Sequence, residues 1–318
     1  MVYYLVYKGV IYLLTKGIHH VSAVTRNIQQ NYYFMTQILG LRLVKKTVNQ
    51  DDTSMYHLFY ADYKGSPGTD MTFFEIKGSD KNTPGTNSIS KTIFRVKSEE
   101  ALEFWKARFD KFEVQRGEII EYYGKLALEF FDDEDQRLML IVDPVEEEVI
   151  PFGNNGEIEE ASRITSLHGV EVTVQYSMPF IQFMEFLGGK NKKNTEIVDF
   201  GHDKVYIKEL RQTFIEQQGY GGVHHFALQV EDEATLEKVL DRVREEKYTN
   251  SGIVDRYYFK SLYIASPNNI TVEIATNGPG FATDEPLESL GENLALPPFL
   301  EEDRVFIELY LKPVDQFQ

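Results

Sequence analysis

The sequence predicts an α+β fold of four βαβββ units, arranged as two pseudo-symmetric halves. Three observations carry this expectation. A strand-like run, a helix and further strand-like runs recur four times along the chain. A His pair opens the first unit, "GIHHVSAVT" from Gly17, and the fourth, "GVHHFALQV" from Gly222. A stretch rich in charge, Gly and Pro, "VEEEVIPFGNNGEIEEAS", separates the second unit from the third. The boundaries that follow are an extension at 1–15, an N-terminal half of two units at 16–146, a linker at 147–162, a C-terminal half of two units at 163–283 and a tail at 284–318.

The extension, "MVYYLVYKGVIYLLT", is apolar but carries Lys8, and Lys16 follows it. It is shorter than a membrane span of about 20 residues, and no small-residue cleavage site of the A-x-A kind follows. It reads as an extra edge strand or as residues upstream of the natural start. The second reading is favoured. Lys8-Gly9-Val10 can be encoded by a purine-rich ribosome-binding sequence, and Leu13 or Leu14 by an alternative start codon; the genomic codons test this.

The first unit opens with a strand over His20–Thr25. The helix "NIQQNYYFMTQILG" follows, with Asn27 as N-cap and Gly40 as its stop. Strands then run through "LRLVKKTVN", "MYHLFYAD" and "MTFFEI". The second unit opens with "KTIFRV"; Ser98 caps "EEALEFWKARFDKF", and "LALEFFD" and "RLMLIVDP" follow. The third opens with "GVEVTV" and continues through "SMPFIQFMEFLGG", where Pro179 suits a helix start, to "EIVDFG" and "VYIKEL". The fourth has "HHFALQV", the amphipathic "DEATLEKVLDRVREEKY", then "RYYFKSLYIAS" and "NITVEIAT". The tail is expected to cross back over the core and end in a short helix that covers an edge or joins a dimer, which leaves room for a homo-oligomer.

A net charge of -17 excludes the clustered Lys and Arg that nucleic acid demands. No partner membrane is expected. The absence of Cys excludes disulfides, zinc ribbons and thiol nucleophiles, and points to a reducing cytoplasm. No phosphate-binding Gly-rich loop or nucleophile motif is present.

Adjacent residues of a strand point to opposite faces. His224 shares a face with Phe226, Leu228 and Val230, whereas His225 shares one with Ala227 and Gln229. The second His of each pair, His20 and His225, is therefore expected to face a cavity, and the first, His19 and His224, to support it. In the third unit His168 takes the first position and Gly169 the second; the second unit has Lys91 near that place. Glu273 lies in the apolar strand "NNITVEIAT", where a carboxylate is costly unless paired or metal-bound. His20, His225 and Glu273 would form a set of two His and one carboxylate. That set suits Fe(II) and oxygen chemistry, and also accepts Mn, Co, Ni or Zn. His57 reads as structural, and His202 as an exposed hairpin residue.

The residues resemble the vicinal oxygen chelate superfamily of glyoxalases, bleomycin-resistance proteins and extradiol dioxygenases. More closely, they resemble the hydroquinone-type ring-cleaving dioxygenases. The matching stretches are "GIHHVSAVT", "GLRLVKKTVNQDDTSMYHLFYAD", "GSPGTDMTFFE", "GGVHHFALQV", "RYYFKSLYIASPNNITVEIAT" and "LGENLALPP", and together they reach from Lys16 nearly to the end. The resemblance implies modules paired into cupped mixed sheets around a metal site. It implies Fe(II) on His20, His225 and Glu273. It also implies Arg256 and Tyr263 near a small aromatic substrate, and His19, His224 and Ser22 around the ligands. The expected activity is cleavage of a hydroquinone- or catechol-type ring with O2. The alternatives are a glyoxalase-like lyase or isomerase, which would use Glu75 as a fourth ligand, and a non-catalytic ligand-binding protein. Phe74 or an outward Glu75 at that position favours the dioxygenase.

Overall fold

The computed structural model describes residues 5–7, 10–12, 15–145, 157–192 and 195–314. The predicted linker lies mostly outside these, as do parts of the extension. Within the extension, β1 (Leu5–Tyr7) and β2 (Val10–Tyr12) pair antiparallel.

Each unit folds as strand, helix and strands. The first holds β3 (Ile18–Thr25), α1 (Ile28–Tyr33), β4 (Arg42–Val48), β5 (Tyr56–Ala61) and β6 (Asp70–Glu75). The side chain of Asn27 accepts from the Gln30 amide, and Gly40 adopts φ 72 where the helix ends. The second unit holds β7 (Ser88–Val96), α2 (Glu99–Lys111), β8 (Arg116–Tyr122), β9 (Lys125–Phe131) and β10 (Arg137–Val142), with Ser98 capping α2. The third holds β11 (Ser166–Val174), α3 (Ser177–Phe186), β12 (Lys190–Asn191), β13 (Ile197–Phe200) and β14 (Asp203–Glu209). The fourth holds β15 (Val223–Val230), α4 (Glu233–Glu245), β16 (Asn250–Asp255), β17 (Lys260–Ala265) and β18 (Thr271–Thr276). The run read as one strand from Arg256 begins instead with a turn, in which Tyr257 has φ 68.

Two eight-stranded mixed sheets result, an α+β architecture as predicted. Units one and four build the first sheet, in the order β16-β17-β18-β15-β3-β6-β5-β4. Units two and three build the other, β12-β13-β14-β11-β7-β10-β9-β8. Each sheet therefore joins units from both halves of the chain. The helix-facing sides merge into one apolar core, from Phe34, Phe94 and Trp105 to Phe226 and Val239. The opposite faces carry small separate clusters, one around Phe59 and Phe259, the other around Ile93 and Met139.

The joining strands are bulged. In the β3–β15 pair, His225 faces Ser22 and Ala227 faces His20, but His224 and His19 are extra residues with no partner in register. In the β7–β11 pair, the extra residues are Ser90 and His168. A bulge bends the strand and re-aims the side chains beside it.

The tail crosses back over the first unit and ends in α5 (Arg304–Tyr310), as expected. The buried Lys45 ammonium bonds Asp284 at 2.7 Å and also Glu285. Arg42 donates to the carbonyls of Leu287 and Glu288 at 2.9 Å. Gly291 has φ 77 and passes so near β4 that a Cβ there would meet the Leu43 carbonyl at 2.3 Å. Among the described residues no helix is long and apolar enough to cross a membrane.

Candidate metal centre

The three sequence-predicted ligands converge on the cupped face of the first sheet. The parallel pairing of β15 and β18 sets Glu273 beside Ala227, which itself faces His20 across β3. Glu273 Oε2 lies 3.1 Å from His20 Nε2 and 2.8 Å from His225 Nε2. All three side chains are buried, and their ligand atoms lie within 4.8 Å of one another. Ser261 donates to the other oxygen, Oε1, at 2.5 Å. Oε2 is buried and has no hydrogen-bond partner.

Electrostatics keep the carboxylate ionised. Burial would raise the Glu273 carboxyl, but His20 and His225 win and hold it well below its ordinary range. Burial would lower His20, yet Glu273 raises it on balance; His225 is lowered, chiefly by burial. An ionised, fully buried carboxylate needs a positive charge beside it. Donor atoms at about 2.1 Å from one ion and at right angles to one another sit about 3 Å apart. The two separations from Glu273 Oε2 match, so the residues fit a divalent metal.

The bulges correct one expectation. His224 does not lie with Phe226 on the apolar face. It is exposed, lines the same cavity as His225, and its Nδ1 is 2.7 Å from that of His225. His19 Nδ1 is likewise 2.9 Å from His20 Nδ1, and a further hydrogen bond ties His19 to the Thr276 backbone. With Nε2 turned to the metal, Nδ1 of each ligand keeps its proton and donates it to the neighbouring ring. That fixes tautomer and orientation. Burial pushes His19 down to about 3 and His224 down to about 4, so both accept as neutral rings.

The cavity measures about 380 Å³, and Phe59, Phe74, Tyr258, Phe259 and Tyr263 contribute to its wall beside polar residues such as Asn49, Gln50 and Thr271. At one edge Arg256 donates to the Tyr263 hydroxyl at 3.2 Å and to Asp51 at 2.9 Å. Burial raises the Tyr263 hydroxyl above its ordinary range and keeps it protonated. The open side of the ligand set is also defined by register. The position on β6 that corresponds to Glu273 is neither Phe74 nor Glu75 but Thr72, which pairs with Ser22 as Glu273 pairs with Ala227. Glu75 faces away, 3.6 Å from Lys77, while Phe74 lines the cavity.

His57, read from sequence as structural, stands on the cavity wall. Its Nε2 is 2.8 Å from Thr72 Oγ1, which donates to Ser22 Oγ at 3.0 Å. Burial pushes this imidazole well below its ordinary value. Pairing β5 with β6 would have revealed it, since His57 then faces Phe74. His202 occupies the β13–β14 turn, as expected, and His168 is buried in the second sheet. The set can hold a metal, keep coordination positions open toward an aromatic-lined space, and present Tyr263, Arg256 and His224 to a ligand there.

A family model, Glyoxalase/Bleomycin resistance protein/Dioxygenase superfamily, matches residues 91–274. "Putative ring-cleaving dioxygenase MhqA" of Bacillus subtilis is 42% identical over 94% of this chain and 98% of its own length. "Chlorohydroquinone/hydroquinone 1,2-dioxygenase" of Sphingobium indicum is 26% identical over 90% of this chain and 92% of its own. A crystal structure of a "putative dioxygenase" from Bacillus subtilis superposes with a TM-score of 0.88, at 32% identity, over 95% of this chain and 99% of that one.

Proposed function

The chain belongs to the glyoxalase/bleomycin resistance protein/dioxygenase superfamily, and from that premise we propose that it is a non-haem Fe(II)-dependent, extradiol-type ring-cleaving dioxygenase for a hydroquinone- or catechol-type aromatic. The observation that carries this reading is the set of two His and one Glu, with its orphaned buried Oε2, open to an aromatic cavity of about 380 Å³. Such a set with vacant positions suits iron and dioxygen. A cytoplasmic setting suits a chain without Cys.

Fe(II) held by His20, His225 and Glu273 would supply a place where a phenolate and O2 meet and exchange electron density. The chain's own residues do the rest. Phe59, Phe74 and Phe259 flank the ring and exclude water. Arg256 lies beside the Tyr263 hydroxyl, where it steadies negative charge on a substrate oxygen. Tyr263, held protonated, donates to the developing carbonyl. His224, neutral and open to the cavity, accepts from His225 at Nδ1, so its Nε2 carries the hydrogen and donates it to a substrate oxygen. His19, sealed beneath, only orients His20. The glyoxalase-like alternative requires a second carboxylate as fourth ligand, and Thr72 stands at the counterpart position.

Anaerobic loading with Fe(II), followed by oxygen uptake with hydroquinone, methylhydroquinone and catechol, tests the reading. The expected result is one iron per chain and iron-dependent uptake. Glu273→Ala should lower both iron retention and uptake by more than the ~10–100-fold typical of an outer partner. Stoichiometric iron with no uptake on any of the three rings would overturn it.

A further inference from the structure

His57 lies outside both the metal-ligating set and the Arg256–Tyr263 pair. Its ring is wedged between two aromatic rings: Phe59 at 3.9 Å between centroids, and Phe74 at 4.0 Å, nearly parallel at 29°. This wedge and the bond to Thr72 fix both its plane and its rotation. Thr72 sends its hydroxyl proton to Ser22. With that direction His57 Nε2 carries the hydrogen of the His57–Thr72 bond, and Nδ1 is a bare acceptor. Among the described residues nothing bonds Nδ1, although the ring lines the cavity.

The placement gives that acceptor a meaning. Thr72 corresponds in register to Glu273 and so stands beside the open positions of the ligand set. His57 is one hydrogen bond farther out. The second oxygen of a catechol lies beside the first and stays at the metal. The second oxygen of a hydroquinone lies across the ring, away from the metal, and its O–H needs an acceptor in the wall, where His57 stands between Phe59 and Phe74. We propose that His57 Nδ1 accepts the hydrogen bond of the hydroxyl para to the metal-held oxygen, and so selects 1,4-dihydroxy over 1,2-dihydroxy rings. This rests on the ring-cleaving reading above for the class of ligand, but its test needs no turnover.

The test is anaerobic calorimetry on the Fe(II)-loaded protein with hydroquinone and with 4-fluorophenol, which matches its size but lacks the second O–H. Wild type should bind hydroquinone about 10–100-fold more tightly, the worth of a hydrogen bond whose partner is otherwise left unsatisfied. His57→Phe keeps the aromatic wedge and should shrink the preference to within about threefold, with 4-fluorophenol affinity and iron content unchanged. His57→Gln, which returns an acceptor oxygen, should recover part of it. In turnover, His57→Phe should raise KM for hydroquinone and leave that for catechol unmoved. Equal binding of the two ligands by wild type, or an undiminished preference in His57→Phe, would overturn the proposal. Discriminating binding without any oxygen uptake would uphold it while removing the dioxygenase reading.

Discussion

The two sheets share one plan and fill their cups in opposite ways. In the first, the residues that follow the bulges are His20 and His225, and Glu273 stands between them. In the second, the same positions hold Lys91, Gly169 and Tyr206. Lys91 lies 3.0 Å from Glu129 and 3.7 Å from Glu171, and Tyr122 donates to Glu171 at 2.8 Å. Ile93, Ala127 and Met139 close the remaining space. His168, the counterpart of His224, is pinned between Asp143 at 2.9 Å and Tyr206 at 2.8 Å. A Cβ at Gly169 would meet the Lys204 carbonyl at 2.1 Å, so that backbone admits no ligand side chain. The scaffold supplies a place for a buried cation in both cups. One cup gathers residues that could hold a metal, and the other carries its cation covalently, as an ammonium.

The sharpest way to break this comparison is to remove that ammonium. Lys91→Met leaves Glu171 buried without its cation and should lower stability by about 3–5 kcal/mol, read by urea unfolding, while iron content stays at wild-type level. Adding Glu171→Leu should restore most of the loss. A fall in iron content with Lys91→Met would mean that the two cups are coupled.

The next effect is one of pH. Burial lowers His168 to about 4, below an ordinary 6.5. As pH falls through 6.5 the unfolded chain gains a proton that the native His168 refuses, so stability declines until about pH 4 and then levels. The shift corresponds to roughly 3 kcal/mol at most. His168→Gln should flatten that part of a stability–pH profile measured on metal-free protein. An unchanged slope would assign acid sensitivity to the metal-side imidazoles instead. The smallest effect is expected at Ser261, whose hydroxyl orients Glu273. Ser261→Ala should weaken iron binding about 10-fold, measured by competition with a chelator, and should leave the second sheet's stability untouched.

Much of this was legible because it is local. The caps at Asn27 and Ser98 depend on side chains within three residues. Glu273 stood out because its neighbours in sequence are apolar. The strands β8 and β16 escaped because they are edges: "RGEIIEY" and "NSGIVD" contain no fully buried residue and need no apolar alternation. His224 was set on the wrong face because a bulge is a property of a strand pair, invisible in either strand alone. His57 and Thr72 were missed for a related reason. Their roles depend on register across β5, β6 and β3, which periodicity does not specify.

The union of the first and last units in one sheet has a consequence in time. Some 250 residues separate His20 from Glu273, and synthesis runs at roughly 5–20 residues per second. For tens of seconds the nascent chain displays a His pair with no carboxylate to complete it. β3 waits for β15, and β15 for β18. The proposed iron, if it met oxygen before its walls were in place, would endanger the polypeptide around it. The order of translation would delay such a centre until the residues through Glu273 have been made, and a polypeptide released before then would lack the carboxylate.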